Sequence, residues 1–238
     1  MAKSILDSLN QEQKEGFQKF FDHTRLKPDT TENDIKNLCN EALEFEVAAV
    51  CVNPYYVSLA SSLLNDSDVK VATVVGFPLG SDIIAVKSFE AQCAIQEGAQ
   101  EVDMVINVGA LKDQKYDYVY QDIFEVVKKC RLSNCICKII IETALLTDEE
   151  KKKACEIIIN AGAHYVKTST GMGYPGAAME DIHLLRECLT GSRLGIKASG
   201  GIRTLPDAVK FIEAGATRIG TSSTVKILQE YRQFLQDT

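Results

Sequence analysis

The stretch NAGAHYVKTSTG (residues 160–171) carries the reading that decides the fold. Gly162 stops a helical pattern, a short apolar run follows, and Lys167 ends that run beside Thr168, Ser169 and Thr170. A glycine at such a junction supplies the left-handed residue at which helices commonly end. The phrase recurs as GAQEVD at 98–103 and GATRIG at 215–220, and EVAAVC at 46–51 fits the same frame without its glycine. If each glycine ends its helix at one height, the sixth residues Asp103, Lys167 and Gly220, with Cys51 in the fourth copy, stand at equivalent positions near strand tops. The repeat therefore puts a carboxylate and a lysine at one level of one structure.

Working outward, runs rich in Val and Ile predict strands at 19–24, 46–52, 69–76, 101–107, 136–142, 164–168, 193–198 and 217–220, each followed by a helical segment. TDEE at 147–150 is a capping box, with Thr147 as cap and Glu150 three residues on. Strands alternating with helices imply right-handed crossovers and a parallel sheet. Eight such units in 238 residues most naturally close into a (β/α)8 TIM barrel. Residues 1–238 then form one domain, with 1–18 as a helical extension outside the repeat. An open doubly wound sheet is the alternative.

Composition narrows the functions available. The chain is 45% hydrophobic and 25% charged, with a net charge of −7 and no basic run, which argues against sequence-independent nucleic-acid binding. An anionic ligand would need a local site rather than the global field. The N-terminus MAKSILDSLNQEQKEGF lacks the apolar core of a signal peptide, and no apolar run approaches the ~20 residues of a membrane span. A cytoplasmic location follows as the expectation. Cys39, Cys51, Cys93, Cys155 and Cys188 are scattered, and Cys130, Cys135 and Cys137 cluster at a helix-to-strand passage, so reduced thiols are expected. There is no CxxC or HxxxH, and His23, His164 and His183 are far apart, so no metal site is expected.

Charges inside strand-like runs are the unusual feature. Lys138, Lys167, Lys197 and Asp103 fall within such runs, and Asp22 and Glu142 close two more. Each alone fits a paired interior charge or a snorkelling side chain. Together they match barrels whose chemistry is carried at the C-terminal ends of several strands. Only a neutral amine is a nucleophile, and a free lysine is roughly one part in a thousand neutral near pH 7.4. Lowering its pKa by about three units costs the cation ~4 kcal/mol, comparable to two unit charges ~4 Å apart at an effective dielectric of ~20. A neighbouring ammonium is therefore strong enough to activate a lysine. A carboxylate such as Asp103 or Asp22 can hold the second lysine charged or shuttle protons. These considerations leave open which lysine attacks and which activates.

A phosphate in such barrels often sits at the loops after strands seven and eight. Strand seven is followed by Ser199-Gly200-Gly201-Ile202-Arg203, and strand eight by Gly220-Thr221-Ser222-Ser223. Paired glycines let backbone N–H groups approach an anion, and Ser222 and Ser223 can cap the last helix while donating hydroxyls. Gly171, after KTST, offers a third donor loop.

DHTRLKP (22–28), AAVCVNP (48–54), VVGFPLG (74–80), EVDMVIN (101–107), KIIIETALLTDEE (138–150), VKTSTG (166–171), KASGGIRT (197–204) and GATRIGTSS (215–223) closely resemble the motifs of the 2-deoxyribose-5-phosphate aldolases, in that family's order from about residue 20 to 225. The resemblance implies a (β/α)8 barrel and a metal-free, cofactor-free class I lyase. It would interconvert 2-deoxy-D-ribose 5-phosphate with D-glyceraldehyde 3-phosphate and acetaldehyde. It further implies Lys167 as the Schiff-base nucleophile, Lys197 as the group depressing its pKa, Asp103 in proton transfer and Asp22 supporting Lys197. Gly171, Gly200, Gly201, Gly220, Ser222 and Ser223 match the family's phosphate pocket. A homo-oligomer, dimer or tetramer, is compatible with the resemblance.

Three features depart from the pattern. Met172 stands where an aromatic residue is expected, Tyr174-Pro175 interrupts a usually glycine-rich loop, and the chain ends Gln236-Asp237-Thr238 without a terminal tyrosine. The rival readings are a pyridoxal-phosphate enzyme, which also joins a lysine imine to a phosphate cup, and a non-catalytic phosphosugar-binding barrel.

Overall fold

A computed structural model describes residue 6 and residues 8–236. Eight parallel strands close into a barrel in sequence order, β1 (Phe21–Arg25), β2 (Ala49–Val52), β3 (Lys70–Val75), β4 (Glu101–Val105), β5 (Ile136–Ile140), β6 (Tyr165–Lys167), β7 (Gly195–Ser199) and β8 (Arg218–Thr221), with β8 paired to β1. Helix α1 (Gln11–Glu15) precedes the repeat, and the rest of the predicted 1–18 extension falls partly on residues outside those described. The connecting helices are α2 (Glu32–Phe45), α3 (Val57–Leu64), α4 (Ile84–Gln96), α5 (Val108–Lys112), α6 (Tyr116–Leu132), α7 (Asp148–Ala161), α8 (Met179–Cys188) and α9 (Leu205–Ala214), and α10 (Thr224–Gln236) follows β8. Among the described residues no helix is long and apolar enough to cross a membrane.

Local chemistry explains the element ends. Thr147 caps α7 through the predicted capping box, its side chain accepting from the Glu150 amide while Glu150 reaches back. Gly162 ends α7 at φ 74°, and a Cβ there would lie 1.7 Å from Arg131 Nη2. That guanidinium needs the space because it donates to the Gly162 carbonyl at 3.1 Å. Glu46, the non-glycine counterpart in EVAAVC, takes the same left-handed conformation at φ 53° to end α2. The repeated frame is thus a helix-ending geometry, which glycine adopts with least strain. The strand predicted at 19–24 begins two residues later, because Phe17–Phe20 form a 3-10 turn that seats Phe17 in the core.

Alternation divides the interior in two. Outward-facing strand residues such as Val50, Val71, Val102, Ile139, Ile196 and Ile219 pack with helix residues Ile35, Leu38, Ile123, Ile158, Ile182 and Val209 in one continuous core. Each such side chain contributes about 1.5–3 kcal/mol by leaving water. A slip of one residue would exchange the two faces of a strand, so this core also fixes register. Inside the barrel, Ala49, Cys51, Ala72 and Val74 of β2 and β3 form a small separate apolar cluster with Leu26 and Phe77. The remaining strands fill their side of the interior with charge.

Candidate active site

The two-residue repeat of a strand sends Glu101 and Asp103 of β4, Tyr165 and Lys167 of β6, Lys197 and Ser199 of β7, and Arg218 and Gly220 of β8 to the inner face. Register then brings distant charges side by side: Asp103 stands opposite Lys138, Lys167 opposite Lys197, and Lys197 opposite Arg218. Asp22 of β1 stands opposite Gly220, whose missing side chain leaves room for the Lys197 stem; a Cβ at Gly220 would lie 3.0 Å from Lys197 Cε.

Asp103 is the hub. Its Oδ2 accepts from Lys167 Nζ at 2.7 Å and from Lys197 Nζ at 2.6 Å, while Oδ1 accepts from Lys138 Nζ at 2.7 Å. Lys197 also donates to Asp22 Oδ2. Below them Lys138 lies 2.6 Å from Glu101, and Arg218 Nη1 donates to Asp22 Oδ1 at 2.6 Å and to Glu101 Oε2 at 3.1 Å. The Arg218 guanidinium also sits over the Tyr165 ring. All seven charged residues of this network are buried. Sequence reading singled out Asp22, Asp103, Lys138, Lys167 and Lys197, and the fold joins all five. It missed Glu101 and Arg218, although both lie two residues before a chosen position on the same strand, which was the available signal.

Burial and neighbours split the three lysines. Burial disfavours the Lys167 cation; Asp103 opposes that and Lys197 adds to it, leaving Lys167 below its ordinary value. Burial acts on Lys197 too, but Asp103 and Asp22 outweigh it and hold Lys197 above its ordinary value. Lys138, with Asp103, Glu101 and Asp22 around it, is raised well above. Burial pushes the Asp103 carboxyl up, yet Lys138, Lys167 and Lys197 together hold it well below the usual range. Asp22 is lowered against its own burial by Lys197, Arg218 and Lys138. Burial raises the Cys51 thiol, which keeps it neutral beside the lysines.

Lys167 reaches the floor of a cleft of about 470 Å³ at the C-terminal ends of the strands. Gly171, Gly200, Gly201, Gly220 and Ser222 line the same cleft. Ser223 is not part of that wall; its amide donates to Thr221 Oγ1 at 2.9 Å, which turns the chain into α10. Gly200 takes φ 89° and packs on Gly176, a Cβ on Gly200 falling 2.8 Å from Gly176 Cα. That contact seats the Tyr174-Pro175 segment against the β7 loop. Met172 lines the cleft where the aromatic was expected.

Arg25, Lys27 and Arg203 also face the cleft, and among the described residues no carboxylate does, so an acidic protein presents a locally cationic mouth. Arg25 is partly neutralised by Asp34 at 3.1 Å. Behind the cleft wall Glu142, in a left-handed conformation at φ 52°, accepts from the amide and hydroxyl of the lining residue Thr170 and so holds the KTST loop. Among the described residues no group of three or more His, Cys, Asp and Glu could hold a metal ion.

An amine at the floor of an anion-attracting cleft can form an imine with a phosphorylated carbonyl compound. The comparisons with known proteins agree with that chemistry. Residues 18–230 match the DeoC/LacD family aldolase model. A deoxyribose-phosphate aldolase of Clostridium tetani is 55% identical over 213 residues, covering 90% of this chain and 98% of that protein. One from Halalkalibacterium halodurans is 57% identical over 212 residues, 89% of this chain and 94% of that protein. In structure, the tetrameric deoxyribose phosphate aldolase from Aeropyrum pernix superposes with a TM-score of 0.88 at 34% identity, covering 97% of this chain and 96% of that one. The match extends over nearly all of the chain in both sequence and fold, and the protein belongs to the DeoC/LacD aldolase family.

Proposed function

We propose that the protein is a class I aldolase that reversibly cleaves 2-deoxy-D-ribose 5-phosphate to D-glyceraldehyde 3-phosphate and acetaldehyde through an imine on Lys167. The observation that carries the reading is a buried lysine with a lowered pKa at the floor of the cleft, held 2.7 Å from a carboxylate that a second, charged lysine shares. The neutral Lys167 amine adds to carbon one of the open-chain sugar, and loss of water gives an iminium. A base reached through Asp103 and water removes the proton from the carbon-three hydroxyl. The bond between carbons two and three breaks, its electron pair passes to the iminium, and glyceraldehyde 3-phosphate departs. Protonation of the enamine at carbon two and addition of water release acetaldehyde and regenerate Lys167.

In this assignment Lys197 stays charged and disfavours the Lys167 cation, and Asp22 holds Lys197 in place. The backbone of Gly171, Gly200, Gly201 and Gly220, with the Ser222 hydroxyl and the Ser223 region at the start of α10, receives the phosphate. The reaction as written consumes no cofactor. A substrate that carries a phosphate and does not cross a membrane unaided supports a cytoplasmic location. An assembly of two or four copies belongs to the same proposal, supported by the tetrameric relative and by the exposed apolar side chains Leu79, Ile83 and Phe89.

Borohydride reduction during turnover tests the reading. A covalent adduct carrying the acetaldehyde-derived fragment is expected on Lys167 by peptide mapping. An adduct on another lysine, or none, refutes it, and a yellow pyridoxal chromophore on the same lysine would favour the cofactor enzyme instead.

A further inference from the structure

The charged interior contains more basic groups than acidic ones. Its cations are Lys138, Lys167, Lys197 and Arg218; its carboxylates are Asp22, Glu101 and Asp103. Fully ionised, the group would carry one uncompensated positive charge in a water-poor core, which burial penalises. Neutrality requires that one cation lose its proton. Arg218 cannot, because guanidinium stays charged in proteins. Lys138 touches three carboxylates, Glu101 at 2.6 Å, Asp103 at 2.7 Å and Asp22 at 3.5 Å. Lys197 touches two, Asp103 and Asp22. Among the described residues Lys167 touches one carboxylate, Asp103, through an oxygen that Lys197 already occupies.

We propose that Lys138, Glu101 and Arg218, which do not line the cleft, are positioning residues that set the charge count of the interior and thereby leave Lys167 as the amine without a proton. The inference rests on Lys167 being the nucleophile. It assigns the activation of that amine to the whole network rather than to Lys197 alone. The groups that face Lys167 are Cys51 from β2, Asp103 from β4 and Lys197 from β7, with Lys138 of β5, Asp22 of β1 and Arg218 of β8 further off through the shared carboxylates; β3 places the uncharged Ala72 and Val74 nearest, with Lys70 at its N-terminal end. At the mouth Arg25, Lys27 and Arg203 add positive charge from solvent. Within this set, Lys138 and Glu101 can be altered without touching the cleft, and their removal changes the count in opposite senses.

The test is the pH dependence of kcat/KM for 2-deoxyribose 5-phosphate cleavage, whose acidic limb reports deprotonation of the attacking amine in the free enzyme. Lys138→Met leaves three cations for three carboxylates, so Lys167 keeps its proton and the limb moves up by about one pH unit or more. Glu101→Gln leaves four cations for two carboxylates, and the limb moves down by a similar amount. The double variant has three cations and two carboxylates, the original excess of one, and its limb returns toward that of the unsubstituted enzyme. A purely structural role would lower activity in all three without opposed movements of the limb. Limbs that do not move, that move the same way in both single variants, or that fail to return in the double variant overturn the proposal. Should Lys138→Met not fold, the isosteric Glu101→Gln and the double variant decide it on their own. Borohydride mapping of the unsubstituted enzyme separates the two levels: no adduct at Lys167 refutes the nucleophile, whereas an adduct with unmoved limbs refutes only the charge count.

Discussion

At the scale of single residues, the most informative atom is Asp103 Oδ2, which accepts from both Lys167 and Lys197. A single oxygen bridging two amines makes their protonation interdependent, since a proton gained by one weakens the other's claim on the same lone pairs. Lys197→Leu removes a cation beside Lys167, so the Lys167 pKa rises and the acidic limb of the rate profile moves to higher pH. Activity near pH 7 then falls about tenfold for each pH unit that the limb moves. An unchanged profile in a folded Lys197→Leu protein contradicts the activating role. The closeness of Lys167 and Asp103 was legible in the repeated phrase, because equal distance from a helix end puts equivalent residues at one height. Asp22 beside Lys197 was not legible from spacing, since 175 residues separate them and only closure of β8 onto β1 joins them. Glu101 and Arg218 escaped because a lone charge early in an apolar run looks like a solvated strand end, although the two-residue spacing from Asp103 and Gly220 already put both on the inner face.

At the scale of elements, the proposed anion site depends on loops that touch one another. Gly200 combines a left-handed backbone with the 2.8 Å limit set by Gly176, so Gly200→Ala must shift either the β7 loop or the 171–176 segment. Strain of about 1–3 kcal/mol there should raise the KM for the phosphorylated sugar about tenfold or more. Turnover of unphosphorylated 2-deoxyribose should change much less. Equal losses with both sugars would show that Gly200 serves the fold rather than the anion. Element order and type were legible from period and punctuation; element ends were less so. The β1 strand starts late because Phe17 is drawn into the core, where it stacks on Tyr231 of α10, a contact that no local pattern contains.

For the whole molecule, the charged interior ties stability to pH. Asp22 and Asp103 titrate below their unfolded values, so their contribution is complete above about pH 4 and is lost as pH falls toward the folded values. Lys138 and Lys197 titrate above theirs, so their contribution is complete below about pH 10 and is lost as pH rises through the folded values. Lys167 titrates below its unfolded value, so its burial costs least toward high pH and most where the folded amine must be protonated. The melting temperature should therefore fall on the acid side below about pH 4, and Asp22→Asn should flatten that fall. A melting curve equally steep in acid for Asp22→Asn and the unsubstituted protein would exclude Asp22 as a source of the acid sensitivity.

The division of the strands into an outer apolar face and an inner charged one has a consequence for how such a protein can change over generations. The cohesion of the barrel with its helices rests on outward residues such as Val102 and Ile139, while their sequence neighbours Asp103 and Lys138 point into the charged interior. Substitutions at adjacent positions thus meet different physical tests. A change on the outer face acts first on packing against the helices, and one on the inner face acts first on a shared set of charges, so inner positions change in compensated pairs more readily than singly.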